Sequence, residues 1–169
     1  MKPTTQQGVT LIELLVVITL VALLAGVGYP GLRAFGERNA HRVAVSQLQS
    51  ALAVARHAAI TRRTPVFLCP QAADENACGK DWSQALLVVA HATRPLEPAN
   101  ILRVLPRSDA RITYNRGWRR VRFSSLGHSS GHNGTFTICA DSTAPARGTA
   151  LILSQLGRTT LENTACPGP

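Results

Sequence analysis

The sequence is poor in lysine, acids and aromatic residues. Of its 18 basic residues only Lys2 and Lys80 are lysine, and 9 acidic residues leave a formal charge of +9. Such a balance favours anionic partners: nucleic acid, phospholipid head groups or an acidic protein face. A genome-wide preference for arginine codons explains the same count. No G-x-S-x-G is present, so Ser129, Ser130 and Ser154 have no nucleophile elbow. No glycine loop follows a strand and opens a helix to cradle phosphate. His41, His57, His91, His128 and His132 are scattered. His128 and His132 share a Gly/Ser-rich stretch, 127–134, that reads as a flexible exposed loop rather than a metal site. No internal repeat or low-complexity segment stands out. These absences leave no catalytic constellation, metal site or cofactor site; none is expected.

Four cysteines are present, Cys69, Cys78, Cys139 and Cys166. The short spacing of a zinc knuckle is missing. An even count in an exported chain points to two disulfides. Three pairings exist. The local one, Cys69–Cys78 and Cys139–Cys166, is expected, because each bond staples one segment and a turn-forming Gly79 follows Cys78.

Apolar residues crowd positions 9–29, interrupted by Thr10, Glu13, Thr19 and glycines. As a helix this run spans about 30 Å, the thickness of a bilayer core. Lys2 would keep the N-terminus in the cytoplasm. The competing reading is an ordinary secretory signal, cut near Ala25. Against it, Glu13 sits inside the apolar run, where a carboxylate is costly unless it has a use. Gly26, Gly28 and Pro30 predict a kink or a locally melted stretch. Beyond it, Val45, Leu48, Leu52, Ala55 and Ala59 recur at helical spacing, and the helix should stop between Thr61 and Pro65.

Short strands and turns follow: Val66–Cys69, Ala85–His91, Ile101–Leu105, Arg111–Tyr114, Arg119–Phe123, Thr135–Ala140 and Thr149–Ser154. Strands at this spacing predict antiparallel sheet. The fold class is therefore α+β, a long helix packed on antiparallel sheet.

Gly8-Val9-Thr10-Leu11-Ile12-Glu13-Leu14-Leu15 resembles the leader of type IV pilins and type II secretion pseudopilins. The resemblance implies cutting after Gly8 by a prepilin peptidase and N-methylation of Val9, where the family usually has Phe. It also implies that Glu13 pairs with a neighbouring subunit's terminal ammonium during assembly. The implied organisation is a cleaved leader 1–8, a transmembrane and filament-core helix half 9–36, and a globular pilin domain 37–169.

The later segments Ala55–Arg62, Pro65–Cys69, Asp81-Trp82, Phe123–Gly127, Thr135–Cys139 and Ile152–Arg158 resemble the GspH/FimT group of minor pilins. The implied function is a minor pilin of a type IV pilus, priming assembly or displayed at the tip. Implied partners are the inner membrane and other minor and major pilins. The implied location is the inner membrane, single pass with a periplasmic domain, and the assembled pilus. The alternative is a type II secretion pseudopilin without nucleic-acid binding.

One cluster is sharper than the rest. Arg116, Arg119, Arg120 and Arg122 fall together with Trp118 among them, and Arg103, Arg107 and Arg111 add charge nearby in sequence. Guanidinium groups suit phosphate, and Trp stacks on bases or on Arg. In a strand, Arg120 and Arg122 would face one way and Arg119 the other. Arg116, Trp118, Arg119, Arg120, Arg122 and Arg158 are the candidate contacts for double-stranded DNA during uptake in natural transformation. Resembling proteins bind DNA through Gly-Arg-x-Arg; here the stretch reads Gly157-Arg158-Thr159-Thr160.

Overall fold

A computed structural model describes residues 10–73, 77–91, 96–140 and 147–166. The chain divides into two compact units after Gly36.

Helix α1 runs Leu11–Arg62. In the N-terminal unit it starts at Thr10, whose carbonyl accepts the Leu14 N–H at 3.2 Å. The backbone stays helical across Gly26, Gly28 and Pro30, so the locally melted stretch expected there is not found. Proline deletes one rung of the ladder and each glycine costs only about 1 kcal/mol, so flanking turns can hold the helix. Side chains of the expected membrane run are described for 10–24, and all are exposed. Among the described residues, no helix is long and apolar enough to cross a membrane.

The C-terminal unit packs the remainder of α1 against two four-stranded antiparallel sheets. Its strands are β1 (Val66–Pro70), β2 (Leu86–Val89), β3 (Ile101–Leu105), β4 (Arg111–Tyr114), β5 (Val121–Phe123), β6 (Gly134–Cys139), β7 (Arg147–Leu153) and β8 (Thr159–Ala165). The first sheet has the order β3-β2-β1-β5 and the second β4-β6-β7-β8. Seven of these strands coincide with expected ones to within a few residues. The eighth, β8, had no expectation. Its sequence TTLENTA has one large apolar side chain and is mostly exposed, so it lacks the alternation that marks a half-buried strand.

One core joins the helix to both sheets. Ala44, Leu48, Ala51, Leu52, Ala55 and Ala59 form the buried stripe of α1, and Val45 is partly buried beside it. Four of the six are alanine, which lets the helix backbone approach the sheets closely. Leu68, Val88 and Val121 contribute from the first sheet, and Ile112, Phe136 and Leu151 from the second. Trp82 meets Tyr114 and Phe136 edge-on, at ring distances of 5.4 and 4.9 Å. The helix ends at Arg63, in the left-handed region with φ of 52°. Its N–H returns to the Ile60 carbonyl at 3.2 Å.

The cysteines pair as Cys69–Cys78 and Cys139–Cys166, with Cα separations of 5.5 and 5.8 Å. The first bond sits in a small second core with Leu87, Val89 and Leu96 on the far face of the first sheet.

Candidate functional site

The basic segment 115–120 is a turn that leads into β5, and the strand itself begins only at Val121. The expected strand from Arg119 is therefore two residues too long. The Asn115–Arg116–Gly117 turn, with Gly117 at φ of 62°, delays it. Val121 and Phe123 point into the core and Arg122 points out. Arg122 lies opposite Phe67 in register, and the Arg120 guanidinium sits over the Phe67 ring at 5.1 Å. Arg120 and Arg122 thus share the outer face of the first sheet. Arg119 is exposed.

A second loop is fastened to this one. His132 Nδ1 lies 3.2 Å from the Arg120 carbonyl, and its ring meets Trp118 edge-on at 4.7 Å. Arg116 donates from Nε to the Asn133 carbonyl at 3.0 Å and places its guanidinium 5.6 Å from the Trp118 ring centre. The aromatic core holds both loops from beneath. Trp82 Nε1 donates to the Trp118 carbonyl at 3.2 Å, and the Tyr114 hydroxyl donates to the His132 carbonyl at 2.7 Å. Burial pushes the Tyr114 hydroxyl pKa up to about 12, with Arg116 opposing, so it remains a donor at neutral pH. Burial lowers the His132 pKa, helped by the charges of Arg120 and Arg122 and opposed by its bond to the Arg120 carbonyl. Arg116, Trp118 and Arg120 therefore form one pre-set basic and aromatic surface around a His that favours its neutral form.

His132 was not among the expected DNA-binding residues, and its loop was expected to be flexible and exposed. Instead Ser129 is fully buried, donating its hydroxyl to the Ser154 carbonyl at 2.7 Å. The partners that pin this loop lie far away in sequence, which is why local composition misled. Among the described residues, no three His, Cys, Asp or Glu side chains gather as a metal site.

Arg158 sits in a different turn. Ser124–His128 and Ser154–Arg158, S-S-L-G-H and S-Q-L-G-R, have the same build, a short repeat where none was expected. In each, the first Ser N–H bonds the fifth carbonyl, the Gly N–H returns to the Ser carbonyl, and the Ser hydroxyl accepts the fifth N–H. Gly127 and Gly157 occupy the left-handed positions at φ of 75° and 73°. The Ser129 N–H, bonded to the Gln155 carbonyl at 2.9 Å, stitches the two turns together. Thr160, in the place of a second Arg, is exposed on β8.

In the N-terminal unit, Glu13 is exposed in the first turn of α1, and its N–H lies 3.4 Å from Thr10 Oγ1. Thr10-Leu11-Ile12-Glu13 is thus half of a capping box, a T-x-x-E signal that the sequence carries in plain view. Gly8 and Val9 lie outside the described residues.

A family model described as type II transport protein GspH matches residues 44–157. A second, the prokaryotic N-terminal methylation motif, matches residues 3–29. No curated protein matches the sequence. Two crystal forms of the type IV minor pilin FimU from Pseudomonas aeruginosa are similar in structure. One is 23% identical, covers 75% of this chain and 98% of that chain, and gives a TM-score of 0.61. The other is 24% identical, covers 79% and 98%, and gives 0.63. At such identities the likeness is one of fold.

Proposed function

Because the chain belongs to the GspH family of minor pilins and pseudopilins, we propose that it acts as a minor pilin of a type IV pilus and captures DNA at the filament tip. The family is one of filament subunits, not enzymes, and its methylation motif marks a membrane-anchored component. Such subunits associate with other pilins and with the membrane assembly machinery. Cutting by a prepilin peptidase between Gly8 and Val9, and a priming role, belong to the proposal.

The observation that carries DNA capture is the fastened loop pair. On these exposed turns the Arg116 side chain is held by the Asn133 carbonyl, and the Trp118 and Arg120 carbonyls are held by the side chains of Trp82 and His132. A guanidinium already in place loses little freedom on meeting a phosphate. Trp118 offers a ring for base stacking beside it.

The test is a mobility shift of duplex DNA with the full chain in neutral detergent, across a salt series. Affinity should fall steeply with salt. Arg116→Ala and Arg120→Ala should each weaken binding and flatten the slope by roughly 0.9 for each phosphate no longer neutralised. Arg103→Ala, outside the loop pair, should change little. No binding at low salt ends the DNA reading.

A second reading is a secretion pseudopilin that binds no nucleic acid. Thr160 favours it, since an exposed threonine stands where the DNA-binding pattern has its second arginine.

A further inference from the structure

A groove of about 490 Å³ runs along the outer side of α1 beside the second S-x-L-G turn. Leu52 and Ile60 line it together with Arg56, His57 and Arg158, and no acidic residue takes part. The Arg56 side chain passes beneath both turns: a Cβ on Gly127 would stand 3.1 Å from its Nε, and one on Gly157 3.2 Å. That Nε is buried and has no hydrogen-bond partner. An unsatisfied buried donor is costly, and more so on a charged group. Neither Arg56 nor Arg158 has a carboxylate partner among the described residues. The groove therefore offers two cations and lacks their counter-charge.

Exposed apolar side chains stand beside these cations. Ile60 is 46% exposed, and the flanking turns display Leu126 at 72% and Leu156 at 49%. A phosphate ribbon has no apolar part to cover these side chains. A peptide carrying a carboxylate between apolar residues covers them and supplies the missing charge. The turns are already locked through Ser129, so little ordering is needed on docking.

We propose that this groove receives a glutamate or aspartate side chain borne on an apolar segment of another filament subunit, with Arg56 and Arg158 as its cationic clamp. The proposal does not rest on DNA capture, which uses the loop pair.

The test uses the full chain, nitrogen-labelled, in neutral detergent micelles. The probe is a blocked leucine–glutamate–leucine tripeptide at millimolar concentration, with leucine–glutamine–leucine as control. The Arg56 Nε–H and the Gly127, Gly157 and Arg158 amides are followed by NMR. The glutamate peptide should shift them saturably, and the glutamine peptide should bind about tenfold more weakly. Arg158→Gln, a change at an exposed side chain whose turn is held through its backbone, should weaken binding of the glutamate peptide by a similar factor. Inorganic phosphate and duplex DNA are added in separate arms. If DNA shifts the 115–120 and 128–133 amides and leaves the groove signals still, the separate assignment of the groove is supported. Equal binding of the two peptides overturns the proposal. So does an unchanged response in Arg158→Gln, or displacement of the peptide by phosphate or DNA at lower concentration.

Discussion

Gly148 lies directly under the bond that Cys166 makes to Cys139. A Cβ on Gly148 would stand 2.7 Å from Cys166 Sγ and 3.1 Å from Cys139 Sγ. The disulfide passes over β7 to tie the end of β6 to the end of β8, and only a residue without a side chain fits beneath it. Gly148→Val should therefore leave Cys139 and Cys166 unpaired while Cys69–Cys78 still forms. Thiol titration of the denatured protein would then find two free thiols, and thermal unfolding would show a loss of about 2–4 kcal/mol. A fully oxidised Gly148→Val with unchanged melting would contradict this account.

Arg63 holds a left-handed backbone at the end of α1 where glycine is normally favoured. A side chain there costs about 1 kcal/mol. Arg63→Gly should raise stability by a similar amount, readable as a higher urea midpoint at unchanged m-value. Arg63→Val should lower it, because a branched side chain resists this conformation more strongly.

His132 makes stability depend on pH. Its pKa is below 6.5 in the folded chain, mainly through burial. Below its unfolded value the unfolded chain takes up the proton more readily, so this stability is lost as pH falls through that region. The melting temperature should drop as the pH falls through about 6.5 and below, and drop less in His132→Gln. A parallel pH profile in both proteins would remove His132 from the explanation.

Glu13 tests assembly apart from folding. Glu13→Ala should leave processing after Gly8 intact and reduce incorporation into filaments, measured by immunoblot of cell-bound and sheared fractions. Undiminished incorporation would remove the Glu13 carboxylate from assembly, since the bond to Thr10 uses only its backbone N–H and survives the change.

Trp82 tests the support under the basic loop. Trp82→Phe keeps the aromatic packing but removes the donor to the Trp118 carbonyl, a bond worth about 0.5–1.5 kcal/mol. Amide exchange should quicken in 116–120, and the strands of the second sheet should keep their protection.

The helix stripe and most strands were legible because a periodic apolar pattern records which face is buried. Leu48, Leu52, Ala55 and Ala59 follow a three- and four-residue rhythm, and all are buried. β8 carries no such record, since its place at a sheet edge asks little of its side chains. The site was legible only as a composition. The run from Arg116 to Arg122 is conspicuous, yet no local pattern shows that His132 sits between Trp118 and Arg120, or that Trp82 and Tyr114 hold both loops. Those relations join residues 12 to 36 positions apart. Arg56 is hidden for a similar reason: nothing beside it in the helix marks it as partly buried. Its Nε is buried where Gly127 and Gly157, far away in sequence, come close to it.

The alanine stripe of α1 has an evolutionary consequence. Ala51, Ala55 and Ala59 have no exposed surface and share one core with both sheets. Any enlargement there presses the helix away from both sheets together. The exposed side chains of the arginine loop lie outside this core, where exchanges of charge cost little. The chain can therefore exchange the charges it displays without unseating its helix.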